Sequence, residues 1–117
     1  MVIRRCAQPI ELVAKPRSKR AVVALHGYTG YPGELALPAQ ELHKAGFDIF
    51  VPRYPGHGTS GQDFLTTRRG DWIGEGERAL DEAPKSYDEV SLVGHSMGGA
   101  IAVILSERYS IERLDLY

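Results

Sequence analysis

Two apolar runs, each ending in a glycine-bearing turn, constrain this chain more than anything else in it. The later one, Val90-Ser91-Leu92-Val93, leads into Gly94-His95-Ser96-Met97-Gly98-Gly99 and then into an apolar-periodic stretch from Ala100 to Tyr109. A strand, a sharp turn and a helix in immediate succession force the apex residue into a strained backbone, so its neighbours must be nearly free of side chains. Gly94 and Gly98 supply that room, and Gly99 lets the helix lie close to the sheet. The hydroxyl of Ser96 is then expected at the carboxyl end of a strand, over the positive end of a helix. That is where a nucleophile is placed.

The earlier run, Ala21 to Leu25, leads into His26-Gly27-Tyr28-Thr29-Gly30. A strand ending in His-Gly, upstream of a serine turn, is where main-chain donors for an oxyanion are built. Between and around the two runs, alternation predicts a strand over residues 9–15 and a polar turn over 16–20. A helix is expected over 34–45, kinked by or starting at Pro38, and a strand over 47–51. Residues 52–61 read as a loop, 62–70 are ambiguous, and Asp71 is expected to cap a helix to about Ala83 that Gly74 and Gly76 weaken. A turn follows over 84–88, and a last strand over 111–117. Strands alternating with helices at this spacing predict parallel βαβ units in an open α/β sheet, with the ligand site beyond the carboxyl ends of the strands. Both glycine-bearing turns fall there.

With these motifs in place the chain resembles the α/β-hydrolase superfamily, and most closely its small carboxylesterases and monoacylglycerol lipases. The matching residues are His26-Gly27-Tyr28-Thr29-Gly30, Tyr54-Pro55-Gly56-His57-Gly58-Thr59-Ser60, Asp71-Trp72 and Gly94-His95-Ser96-Met97-Gly98-Gly99, in order and spacing, over about residues 20–117. The resemblance implies a serine hydrolase cleaving small acyl esters through a Ser96 acyl-enzyme. The backbone N–H groups of Met97 and Tyr28 would form the oxyanion hole, and His26, Gly27, Gly30, His57, Gly94, His95 and Gly98 would shape the site. Apolar residues around Tyr28, Phe64 and Met97 hint at a lipophilic pocket. No metal and no organic cofactor is implied.

The base is the missing part. In this fold the order is serine, then acid, then histidine, yet the 21 residues after Ser96 contain no histidine. His26 belongs to the oxyanion turn with a buried hydrogen-bonding role, His57 to the site's wall, and His43 to an exposed helix face. His95 should diverge from Ser96. Glu107 and Glu112 read as helix or turn surface, and Asp115 is not assigned as the acid. The resemblance therefore implies an amino-terminal half, a single partial domain in which residues 1–20 form a basic strand and turn and 21–117 the core. Its last strand would be an exposed edge, inviting a second copy or a complementary C-terminal half. Two other functions stay open: a non-catalytic remnant or scaffold that binds hydrophobic ligands, and an aminopeptidase of the same fold.

Composition narrows the rest. A net charge of −1 over 117 residues gives no reason to expect a nucleic-acid partner. Residues 1–20 carry six Lys/Arg against Glu11 alone, a net of +5, and read as a solvated tail and turn. Cys6 is the only cysteine, which excludes an intramolecular disulfide and favours a reducing compartment. With no apolar h-region after Met1 and no run near the ~20 residues of a membrane span, the expectation is a cytoplasmic protein.

Overall fold

A computed structural model describes residues 2–117. Five strands form one sheet in the order β1-β3-β2-β4-β5: β1 Ile10–Leu12, β2 Arg20–Leu25, β3 Asp48–Val51, β4 Glu89–Gly94 and β5 Leu114–Leu116. The last four run parallel, and β1 pairs with β3 antiparallel. The expected open, mostly parallel sheet is thus present. At its centre β2 pairs with β4 from Arg20↔Glu89 to Leu25↔Gly94, so both strands end at the same level.

The side-chain parity of β2 builds two cores. Ala21, Val23 and Leu25 face α3 (Arg69–Glu82) and α4 (Met97–Ser106), joined by Val90, Leu92, Trp72, Leu80, Ile101 and Leu105. Val22 and Ala24 face the other side, with Ile49 and Val51 of β3, with Ala39 of α1 (Ala36–Lys44) and with Leu35 just before that helix. Successive strand residues point to opposite faces, so a strand covered on both sides must be apolar throughout, as Ala21–Leu25 is.

Several local expectations shift. Pro38 lies in the first turn of α1, where no intrahelical N–H bond is required, and the helix continues past it. The ambiguous stretch holds a short helix, α2 (Gly61–Leu65), capped by the Ser60 hydroxyl accepting from the Asp63 N–H at 3.1 Å. Asp71 is not the cap of α3. It sits in the first turn and its carboxylate accepts from the Arg68 N–H at 2.9 Å, the reciprocal half of a capping box. Gly76 does not weaken α3 without return: a Cβ there would lie 2.7 Å from Leu105 Cδ1, so it marks where α3 crosses α4. β5 is shorter than expected. The segment before it already bonds alongside β4, through Glu112 N–H to Val90 O and Leu92 N–H to Arg113 O, each 2.9 Å.

The basic N-terminus is not a solvated tail throughout. Arg5–Ala7 form a 3-10 turn, and Ala7 is fully buried. Among the described residues, no helix is long and apolar enough to cross a membrane.

At the amino ends of the strands Asp48 is fully buried and accepts from the Ala14 N–H (3.0 Å), the Ser18 N–H (3.2 Å) and the Tyr87 hydroxyl (2.8 Å). Burial alone would push its pKa up, but these donors together hold it below the ordinary carboxylate value. A depressed folded-state pKa contributes stability that is full above the unfolded value and is lost as pH falls through the folded one. Asp48→Asn is expected to cost roughly 2 kcal/mol at pH 7. It should also flatten the loss of stability below about pH 4, as read by denaturant titration at stepped pH.

Candidate active site

The turn between β4 and α4 has the backbone that the sequence requires. Ser96 has φ 55° and ψ −120°, a positive φ that L-residues rarely hold and that structures keep only where the surroundings over-determine it. The surroundings here are glycines. A Cβ at Gly94 would meet the Gly98 oxygen and the Gly99 Cα, each at 2.5 Å, and a Cβ at Gly98 would overlap the Leu25 carbonyl. Gly98 and Gly99 donate their N–H groups back to His95 O (2.9 Å) and Ser96 O (2.8 Å). Among the described residues the Met97 N–H, at the first position of α4, has no backbone acceptor. The Ser96 side chain stands exposed at the start of α4.

The second turn lies directly against the first. A Cβ on Gly27 would sit 3.5 Å from Ser96 Cβ and 3.6 Å from His95 Cδ2, and the His95 N–H donates to Leu25 O at 3.0 Å. Gly30 N–H closes the turn on Gly27 O at 3.1 Å. Thr29 takes φ 60°, and its hydroxyl donates to Tyr28 O at 2.6 Å. A β-branched residue at positive φ is an outlier. Gly30 itself lies against the Glu34 carboxylate, which accepts from the Tyr31 N–H at 2.9 Å and leaves no room for a Cβ at position 30.

His26 is fully buried beneath this turn. Its Nδ1–H donates to Gly27 O at 3.0 Å, and its Nε2 lies 3.5 Å from the Tyr54 N–H as acceptor. The Tyr54 hydroxyl returns a bond to His26 O at 2.9 Å. One planar peptide carries both the Gly27 carbonyl and the Tyr28 N–H, which point in opposite directions. Fixing the carbonyl with two donors, the His26 ring and the Gly30 amide, fixes where the Tyr28 N–H aims. Sequence reasoning expected a buried hydrogen-bonding His26 but missed Tyr54 as its anchor; the only signal was its place just before Pro55-Gly56-His57-Gly58.

His57 is also buried. Its Nδ1–H donates to Pro55 O at 3.1 Å, while its Nε2 is enclosed without a hydrogen-bond partner. Tyr54, Phe64 and Trp72 surround the ring, each with centroids 5.3 Å away, and His26 lies at 5.4 Å. Tyr28 packs edge-on against Phe64 and Trp72 at 5.3 and 5.6 Å, with 54% of its surface still exposed. His95 turns its ring toward Tyr117 at 5.2 Å, and its Nδ1 is buried without a partner. His43 corrects its expectation: it is half-buried, and its Nδ1–H donates to Phe47 O at 2.8 Å. Among the described residues no histidine hydrogen-bonds the Ser96 hydroxyl, and no group of three His, Cys, Asp or Glu could hold a metal ion. Asp115 is exposed and paired with Arg113 at 2.9 Å.

A cavity of about 260 Å³ lies between β1, β3 and α3, and another of about 290 Å³ lies beside Thr29, His57 and Phe64. Neither is lined by Ser96 or Met97. Met97 and Phe64 pack partly into the core on the α3–α4 side.

Against known proteins, the family model described as "Serine aminopeptidase, S33" matches residues 16–113. The chain belongs to this hydrolase family. It is 32% identical over 88 residues to a thermostable monoacylglycerol lipase of Bacillus sp. (strain H-257), covering 75% of this chain and 35% of that one. It is 28% identical over 89 residues to a carboxylesterase of Bacillus subtilis (strain 168), with 74% and 35% covered. A solved structure from a study of LipS and LipT, two metagenome-derived lipolytic enzymes, superposes with a TM-score of 0.86 at 28% identity, covering 97% of this chain and 44% of that one. The fold is that of an α/β hydrolase of the lipase and esterase kind. The chain spans about a third of the length of the curated relatives it matches.

Burial lowers the His26 pKa from 6.5 to about 4, against the opposing bond to Gly27 O and with the charges of His57 and Arg53 acting in the same direction. Burial, with Arg53, lowers His57 too. The unfolded chain therefore binds more protons than the folded one between about pH 4 and 6.5, so stability falls as pH drops through that window. His26 alone accounts for about 2 kcal/mol of the difference between pH 7 and pH 5. His26→Asn is expected to remove that share, measured by urea unfolding at the two pH values.

Proposed function

We propose that this chain carries the nucleophile and oxyanion half of a serine esterase acting on small acyl esters or monoacylglycerols. Ser96 Oγ attacks the ester carbonyl and forms an acyl-enzyme, releasing the alcohol. Water then attacks the acyl carbon and releases the acid. The oxyanion of each tetrahedral intermediate is held by the N–H groups of Met97 and Tyr28, which need no side chain to act. The observation that carries this reading is the strained, exposed Ser96 packed against the His26–Gly30 turn. The helix N-terminus behind Ser96 favours developing negative charge.

Attack also needs an imidazole base held in its tautomer by a carboxylate. The four histidines here have other engagements: His26 with Gly27 and Tyr54, His57 with Pro55, His43 with Phe47, and His95 tilted against Tyr117. In this proposal the acid and the base come from a complementary C-terminal half, within a longer polypeptide or as a separate chain. The outer edge of β5, the last strand of the sheet, where Leu116 is 51% exposed, is where such a half pairs. No metal or organic cofactor takes part.

A second reading is amide cleavage at peptide N-termini, favoured by the description of the matched family model. The likeness to a monoacylglycerol lipase and a carboxylesterase supports the ester reading instead. A panel of p-nitrophenyl esters against aminoacyl amides separates the two. The mechanism itself is tested by intact-mass analysis after fluorophosphonate treatment, with Ser96→Ala as control. A single adduct is expected once the complementary half is present, absent from the control, and Ser96→Ala should lower turnover on the order of 10⁴-fold or more. Turnover retained in that variant removes Ser96 from the mechanism.

A further inference from the structure

The N-terminal turn packs against both segments that flank the oxyanion turn. The Arg4 N–H donates to Gly58 O at 2.9 Å, and the Ala7 N–H closes the turn on Arg4 O at 2.9 Å. Ala7 is fully buried on Gly58, whose φ of +72° and lack of a Cβ are both required: a Cβ there would overlap the Ala7 methyl. On the other side the Cys6 carbonyl occupies the place a Cβ of Gly33 would take. Gly33 follows the oxyanion turn by three residues, and Gly58 follows His57 directly. His57 in turn packs on His26, the ring that holds Gly27 O.

Two separate glycines are thus emptied of side chain to receive one short turn. Such a fit is more than a solvated tail needs. From Ala7 an unbroken set of contacts runs through Gly58, His57 and His26 to the Gly27–Tyr28 peptide. We infer that Arg4–Ala7 form a clasp that positions the oxyanion turn, with Ala7 and the Arg4 amide as its positioning groups. The inference rests on reading the Tyr28 N–H as an oxyanion donor, and it adds the N-terminal turn to the site's support.

The clasp can be opened without touching the site. Arg4 has φ −60° and ψ 149°, a backbone that proline adopts unstrained, so Arg4→Pro keeps the local conformation while it removes the N–H to Gly58, sets the ring Cδ against the Gly58 carbonyl and removes the guanidinium. Arg4→Ala keeps that bond and removes only the guanidinium. The readout is amide exchange of Gly30, whose N–H closes the oxyanion turn, compared with amides of β2 and β4. Arg4→Pro is expected to speed Gly30 exchange at least fivefold, leaving the strand amides unchanged and Arg4→Ala like the parent. Equal acceleration at every amide would mean general destabilisation, and an equal effect of Arg4→Ala would mean a charge effect; either overturns the clasp. So does unchanged Gly30 exchange in Arg4→Pro with the Ala7 amide exposed. Ala7→Val, which overfills the Gly58 seat, is the second variant and must give the same local acceleration. Exchange needs no turnover, so its outcome is separate from that of the Ser96→Ala test.

Discussion

Everything at the carboxyl end of this sheet depends on how β2 and β4 are paired. Their register brings Leu25 opposite Gly94, so the two strands release their turns side by side. Gly98 then lies on the carbonyls of Leu25 and His26, and the His95 amide reaches Leu25 O. Had β4 slipped by one residue, every β4 side chain would have changed face. Val90 and Leu92 would have left the α3–α4 core, and the two turns would no longer meet. The hydrophobic pattern of one strand therefore fixes the placement of two main-chain amides several residues away.

The buried histidines show the same economy with polar groups. His26 replaces water as the partner of a turn carbonyl and is itself satisfied by Tyr54. A charged imidazole there would face the cost of burial, so the ring works as a neutral spacer with one donor and one acceptor. His57 is less fully satisfied, with Nε2 enclosed by aromatic rings. The Arg53 side chain fastens its loop from outside by donating to Tyr54 O and His57 O at 3.2 and 3.0 Å. Rigid aromatic packing and a few main-chain bonds, not a network of charges, hold this region in shape.

Much of this was legible in the sequence because it is written in short-range pattern. Ala21–Leu25 and Val90–Val93 are apolar runs bounded by glycine, and the Gly94–Gly99 turn demands its own geometry. What could not be read depends on distant partners. Asp71 serves equally well as a cap or in the first turn, and only the position of Arg68 decides. The Ala7 turn has no local periodicity; it forms because Gly33 and Gly58, 26 and 51 residues further on, leave space for it. His43 looked like helix surface until the chain reversal at Gly46 brought the Phe47 carbonyl under its ring.

The backbone at Ser96 also says something about how such a chain would drift. A residue held at positive φ costs of the order of 1–3 kcal/mol, a penalty that glycine does not incur. Position 96 is exposed, so little packing would be lost by removing its side chain. In terms of folding alone, glycine is the lower-energy occupant, and a lineage with no use for a hydroxyl here would have a downhill path to it. A serine at this corner sits against that gradient.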